Sequence, residues 1–362
     1  MKLFLPAATN VAFCQRKHLD HTGTRLPSCD LNDIHCRPCC ARWLPVAALM
    51  LAALALAACA PEQPAPAPAK GAPAQQKLPP VVYGQLPPEL ARYAEAIDRS
   101  RLPYIHIDLH QPHKLAPWNS SLGGAAYLPK GQEYPAGPDG VPLTLLAQFN
   151  FSEMPALEGY PAGGMLQFYI SGSKSKGHFY GASSESTKPY NAERAFLSLA
   201  RQRWFRVLYH PTVARDVKKL QPTTVIASDN LPMAGTSALT FGIRTEPVSV
   251  QDYRFARILG QPPWELFKQF GAKQDAVSEN YETFSQKYTI AKLGGYSKPT
   301  QTDVRTAQPD GDWLVLFELQ GGGVKGGFYS EWGDSGMAVF YIRRQDLARR
   351  DFSNVVYSWD NL

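Results

Sequence analysis

A stretch near the C-terminus repeats one found about 170 positions earlier, and no other feature limits the fold as strongly. Trp332-Gly333-Asp334-Ser335-Gly336-Met337-Ala338-Val339-Phe340-Tyr341-Ile342 is a polar turn running into a strand, and Gly164-Met165-Leu166-Gln167-Phe168-Tyr169-Ile170 repeats its second half. Upstream of each copy lies another strand, at 143–151 and 313–320, and before that a Leu-Gly-Gly turn, at Leu122-Gly123-Gly124 and Leu293-Gly294-Gly295. The three landmarks are offset by 171, 170 and 172 positions. Constant spacing across three features points to an internal duplication, although two copies are too few for a solenoid or propeller. Leu143, Leu145, Ala147 and Phe149 alternate in one copy, and Trp313, Val315, Phe317 and Leu319 in the other, so each strand is expected to bury one side. The apolar runs Val207-Leu208-Tyr209 and Val355-Val356-Tyr357 extend the repeated sheet.

The expected fold is therefore α+β: a duplicated β-rich unit, its halves near 120–210 and 290–362, forming a mostly antiparallel sheet covered by helices. Helices are predicted after Pro87-Pro88, over 191–205, from Ser249, and over 264–288 with a break at Gly271. Strands are predicted at 105–110, 223–227 and 239–244.

The same residues resemble a known family. The run from Trp332 to Ile342, with Asp346-Leu347, Asp351-Phe352-Ser353 and Trp359-Asp360, is similar to the C-terminal signature of the YwqG-like proteins, a domain of unknown function. Leu122-Gly123-Gly124, Tyr127-Leu128-Pro129 and Leu146-Ala147-Gln148-Phe149-Asn150 resemble that family's N-terminal half, so the likeness covers roughly residues 103–362. It implies an α+β fold and brings no activity, cofactor or catalytic residue with it. Gln320-Gly321-Gly322-Gly323 stands where the family tends to carry acidic residues, which argues against a cation-binding loop there.

Ahead of the domain the composition changes three times. Residues 43–58 are almost wholly Ala, Leu, Val and Met, follow Arg37 and Arg42, and end in Leu56-Ala57-Ala58-Cys59. A basic entry, an apolar stretch of about 15 residues and small residues at the exit describe a secretory signal, too short for a spanning helix of about 20. The ending resembles a bacterial lipobox, so 37–59 is expected to be a lipoprotein signal with Cys59 the lipidated first residue. Ala60 after it suits onward sorting to the outer membrane, facing the periplasm. Residues 1–36 are polar, aperiodic and foreign to a signal peptide; they are expected to be a non-native upstream extension, with translation starting later at a non-Met codon. Residues 60–80, rich in Pro and Ala, form a tether that spans up to about 60 Å at about 3.1 Å per residue. A single domain occupies 81–362.

All six cysteines lie within the first 59 residues. Cys36, Cys39 and Cys40 with His35 lack the second pair that a structural zinc site needs. Of the formal charge of +6, half belongs to residues 1–59, which hold six Lys/Arg and three Asp/Glu. The remainder has no basic stripe interleaved with aromatics, so no nucleic-acid partner is expected.

Three motifs bear on chemistry. His106-x-Asp108-x-His110 on a strand places two imidazoles and a carboxylate on one face, a donor set suited to one divalent transition metal and thence to hydrolysis; a solvated strand face gives the same pattern. Gly333-Asp334-Ser335-Gly336 looks like a serine-nucleophile motif but lacks the flanking residues and the histidine context, and a turn with Asp334 bonded to backbone accounts for it. Gly321-Gly322-Gly323-Val324-Lys325-Gly326-Gly327 lacks the Lys-Ser/Thr pair and following helix of a phosphate loop, and reads as a hairpin.

The leading expectation is a non-catalytic binding module that holds a peptide, protein or envelope component between the halves, with an immunity-like masking role as one version. Trp332 and Asp334 beside the glycine hairpin, and Gln148 and Glu318 at equivalent repeat positions, are its candidate ligand contacts, and no cofactor is expected. The alternatives are a metal-dependent hydrolase on His106, Asp108 and His110, and a purely structural envelope protein.

Overall fold

A computed structural model describes residues 84–112, 114–183, 190–285 and 289–362. The leader, Cys59 and the tether lie outside them, as does His113.

Ten strands form one antiparallel sheet: β1 (Leu102–His110), β2 (Ser121–Gly123), β3 (Thr144–Asn150), β4 (Met165–Ile170), β5 (Phe205–His210), β6 (Thr236–Glu246), β7 (Ala291–Gly294), β8 (Trp313–Gln320), β9 (Met337–Arg343) and β10 (Val356–Asp360). Their order is β10-β9-β8-β7-β1-β6-β2-β3-β4-β5. β1 and β6 pair along nine residues at the centre, from Leu102↔Glu246 to His110↔Ala238. Four strands lie on either side.

Matching kinks explain how this sheet closes over a core. The β3–β4 register shifts between Leu145 and Ala147, and the β8–β9 register between Val315 and Phe317. A β-bulge bends its strand and strengthens the local twist. The sheet curls until its two wings meet: Phe149 packs on Phe317 with ring centroids 5.0 Å apart, Phe168 on Phe340 at 4.7 Å and Phe205 on Tyr357 at 5.2 Å. The bulges also correct the expectation of one buried face per strand. An extra residue reverses the alternation, so Leu143 and Leu145 pack outside with Tyr169 while Ala147 and Phe149 enter the inner core. In the other wing Trp313 and Val315 pack outside with Phe196, and Phe317 and Leu319 inside. Both faces of these strands are buried.

Short helices cover the outer face: α1 (Ala94–Arg99), α2 (Ala192–Ser198), α3 (Phe255–Leu259), α4 (Pro263–Lys268), α5 (Gln274–Ser285) and α6 (Arg344–Arg349). Leu90, Ile97, Phe255, Leu266, Phe267, Tyr281 and Phe284 supply a second apolar cluster beneath four of them. The predicted break at Gly271 is present, with φ of 55°, between α4 and α5. Two predictions fail: residues 223–227 form no strand, Thr223 instead donating to Ala126 O at 2.6 Å, and α2 stops at Ser198 because 205 onward is needed as β5.

Candidate functional site

Even-numbered residues of β1, β6 and β7 point away from the inner core, and alternation alone marks them as a solvated face. Tyr104, His106, Glu246 and Lys292 among them are instead buried. Burial of polar groups there demands partners, and they find each other. Lys292 Nζ on β7 lies 2.7 Å from Glu246 Oε1 on β6 and 3.7 Å from Glu318 Oε1 on β8. Lys298 Nζ reaches Glu246 Oε2 at 3.5 Å. Ser297 Oγ and the Lys298 amide donate to Glu318 Oε2 at 3.1 and 3.2 Å, while Glu318 Oε1 has no hydrogen bond at all.

A second ionic group adjoins the first. Arg254 forks onto Asp252 at 2.8 and 2.9 Å, and Arg305 joins Asp252 and Asp303 at 2.8 and 2.7 Å. The Ser297 amide donates to Asp252 Oδ2 at 3.1 Å and so links the two groups. Arg305 also lies over the rings of Tyr253 and Tyr341, at 4.5 and 4.3 Å. Four carboxylates thus face four cations, and each of the eight residues is buried. Burial alone would raise the Glu246 and Asp252 carboxyls, but Lys292 and Lys298 hold the first below its ordinary value, and Arg305 and Arg254 the second. Burial and the charge of Lys292 pull Lys298 below the usual lysine range, outweighing Glu246 and Glu318. Strongly shifted groups of this kind accompany catalytic sites, yet structural ion-pair networks shift them too. This one is closed by its own partners.

Sequence reading missed all but Glu318. A signal was present in Asp252-x-Arg254 and Asp303-x-Arg305, in which each aspartate accepts the backbone N–H and the guanidinium of the arginine two residues on.

Gln148 holds the corresponding place in the other wing. Its Oε1 accepts from the Tyr127 amide at 2.9 Å, and its Nε2 donates to Pro117 O and Asn119 O at 3.0 and 2.8 Å. Gln167 Nε2 donates to the same Oε1 at 3.1 Å, and His210 Nε2 to Gln167 Oε1 at 2.8 Å. Gln148 and Glu318 therefore line no common cleft: β7, β1, β6 and β2 separate their strands, and each is buried in its own network.

The expectation for Trp332 is corrected as well. It is fully buried in the inner core, edge-on to Tyr180, with an indole N–H that meets no acceptor. The aromatic residue exposed at this place is Tyr329. Gly322–Gly323 and Tyr329–Ser330 form the predicted hairpin, to which Met233–Ala234 adds a third strand. Between this ribbon and the Gly333–Gly336 turn runs a groove of about 940 Å³ lined by Gln320, Gly321, Tyr329, Glu331, Asp334 and Ser335 among others. Close packing shapes its wall: a Cβ on Gly336 would meet Asp360 O and Trp332 O at 2.2 Å. Asp334 accepts from Ser335 Oγ at 3.1 Å, and neither it nor Glu331 forms an ion pair with a described residue. Ser335, at φ of 52°, donates its hydroxyl to that carboxylate, and no histidine among the described residues is bonded to it.

The strand motif does not assemble a metal centre. His106 Nε2 donates to Asp108 Oδ1 at 3.0 Å and its Nδ1 lies 2.9 Å from Thr289 Oγ1, while His110 Nε2 lies 2.8 Å from Thr240 Oγ1. Both nitrogens of His106 are engaged and His110 turns to another strand. No three His, Cys, Asp or Glu side chains among the described residues are grouped to hold a metal ion. One further arrangement suggests a triad and fails: Ser171 Oγ is 3.5 Å from His178 Nε2, but His178 Nδ1 accepts the Gly181 amide, so it carries no proton for a carboxylate to orient.

A family model, that of a domain of unknown function (DUF1963), matches residues 120–361. The match takes in nine of the ten strands and the side chains of both polar networks, and it leaves β1 outside. No curated protein matches the chain.

Proposed function

The chain belongs to the DUF1963 family, and from that premise we propose that it is a non-catalytic binding module whose groove between the glycine hairpin and the 333–336 turn takes a peptide or protein segment bearing a basic residue. The groove itself carries this reading. Its rim presents an exposed phenol at Tyr329 and two carboxylates, Glu331 and Asp334, that no cation among the described residues pairs. Tyrosine is among the residue types enriched at binding hot spots. The groove lies in one wing of the sheet, not between the halves.

The YwqG-like assignment and the duplication belong to this reading. The first rests on the Trp332–Ile342 run of the sequence; the second is supported by the bulges at equivalent places in β3 and β8 and by the equivalent bonds from the Tyr127 and Lys298 amides to Gln148 and Glu318. In a duplicated chain the first strand of each copy has crossed to the other, β1 lying beside β7 and β6 beside β2. The Leu56-Ala57-Ala58-Cys59 signature supports a lipid anchor in the outer membrane of a bacterial envelope, the tether letting the module reach a partner in the periplasm. No helix of the described residues is long and apolar enough to cross a membrane.

The test is a titration of the protein with a random decapeptide library sorted by Lys and Arg content, wild type beside Glu331→Gln/Asp334→Asn. Retention of basic peptides that the double variant loses is the expected result. Equal retention by both proteins, or none by either, overturns the proposal.

A further inference from the structure

β6 is paired unequally on its two sides. One side meets β1 along nine residues; the other meets β2 only through Thr236, Ser237 and Ala238. Among the described residues, that outer edge has no strand against it from 239 to 244, and no backbone–backbone hydrogen bond joins these six residues to any element other than β1. Such an edge is a template for another strand, and proteins commonly blunt it with charge, proline or a covering loop. Here Thr240 and Ile243 are exposed on it, Ile243 by 51%.

Arg244 on the same stretch is the second observation. Its Nε and Nη1 are buried, yet neither has a hydrogen-bond acceptor, and no carboxylate among the described residues pairs with it. A guanidinium presents five donors in a fixed fork that suits a carboxylate, so one shielded without an acceptor calls for an acid from elsewhere. The arginines of the neighbouring ionic network are by contrast fully matched.

We propose that residues 239–244 of β6 accept an added strand from a partner peptide, and that an acidic side chain on this strand pairs with Arg244. Main-chain hydrogen bonds supply the attachment, as in β-augmentation generally, and Arg244 supplies the charge selection. The site is separate from the glycine groove and selects the opposite charge.

The experiment uses the full chain and two end-blocked decapeptides, Thr and Val in alternation with two Glu or with two Lys. Hydrogen exchange read by mass spectrometry follows 239–244 and 329–336 separately, so a result at one site does not stand in for the other. The Glu peptide is expected to slow exchange at 239–244 and the Lys peptide to leave that segment unchanged. Arg244→Gln is expected to weaken the Glu peptide by about tenfold or more, the usual worth of a charge-assisted bond. Absence of protection by the Glu peptide, equal protection by both peptides, or unchanged affinity in Arg244→Gln overturns the proposal. Protection that appears without peptide and rises with protein concentration assigns the edge to a second copy and overturns it equally.

Discussion

The networks around Gln148 and Glu318 occupy corresponding places and solve one problem in different ways. Each receives a backbone N–H, from Tyr127 at 2.9 Å in one wing and from Lys298 at 3.2 Å in the other. Gln148 is an amide, so it brings two donors along with its acceptor and satisfies the carbonyls of Pro117 and Asn119 without any charge. Glu318 is acceptor-only and depends on Lys292, which in turn needs Glu246, which in turn holds Lys298. A neutral side chain closes its site locally. A charged one enlists residues from three strands and the segment behind them.

That difference predicts which substitution hurts most. Lys292→Met leaves Glu246 and Glu318 buried with Lys298 alone, and breaking a buried pair in this way costs about 3–5 kcal/mol. Gln148→Met orphans the Tyr127 amide and two carbonyls but no charge, for about 1–3 kcal/mol. Urea denaturation at pH 7 compares them directly. A larger loss for Gln148→Met would mean that the ionic network is solvated in practice and that the contrast is false.

Exchanging the chemistry sharpens the comparison. Gln148→Glu places a carboxylate against the carbonyl oxygens of Pro117 and Asn119, with Ser121 where the other wing has Lys292. The expected loss is about 3 kcal/mol at pH 7, diminishing as acid protonates the new group. A loss that does not diminish at pH 4 would point to packing instead of charge.

The two networks should also respond to acid in different windows. Burial holds His210 below the ordinary histidine value, so the unfolded chain binds its proton first. Stability then falls as pH drops from about 6.5 toward the folded value, because the unfolded state carries more protons there. Glu246 and Asp252 are also held below their ordinary values; their contribution is complete above about 4 and is lost as pH falls through the folded values. Lys298 has the same sign at the alkaline end of the scale: its penalty is full below its folded value and is relieved as pH rises toward about 10.4. His210→Gln should flatten part of the fall in melting temperature between pH 7 and 5 and leave the steep loss below pH 4. His178, likewise held low by burial, contributes in the same direction and window.

The sequence displayed the strands of both wings, the Gly271 break and the hairpin because each is written in local pattern. It hid whatever depends on closure. A single bulge residue at Leu146 or Leu316 reverses the facing of half a strand, and period-two alternation has no symbol for it. His106 and Lys292 sit at polar positions that read as solvated, and only the cover from segments far along the chain makes them buried. Trp332 shows the converse error: a glycine-rich neighbourhood suggested a surface, but the turn folds the indole back into the core. Asp334 lies at a groove because the small residues around its carboxylate leave room there whatever the sheet does.

The groove provides the smallest effect on stability and the cleanest separation of folding from binding. Asp334→Asn removes a charge that no described residue compensates, and exposed substitutions of this kind stay within about 0.5 kcal/mol. Asparagine still accepts from Ser335 Oγ, and the backbone oxygen of residue 334 still takes the Leu362 amide at 3.0 Å, so the turn keeps its shape. The urea midpoint should therefore match wild type, while retention of a Lys-bearing peptide falls. A buried carboxylate such as Glu246 is paired with Lys292 and Lys298 inside the fold, whereas Asp334 has the Ser335 hydroxyl and no cation among the described residues, which is the place the proposed partner would fill. A drop in stability without a change in retention would place Asp334 among the residues that hold the turn and would leave the groove without its charge.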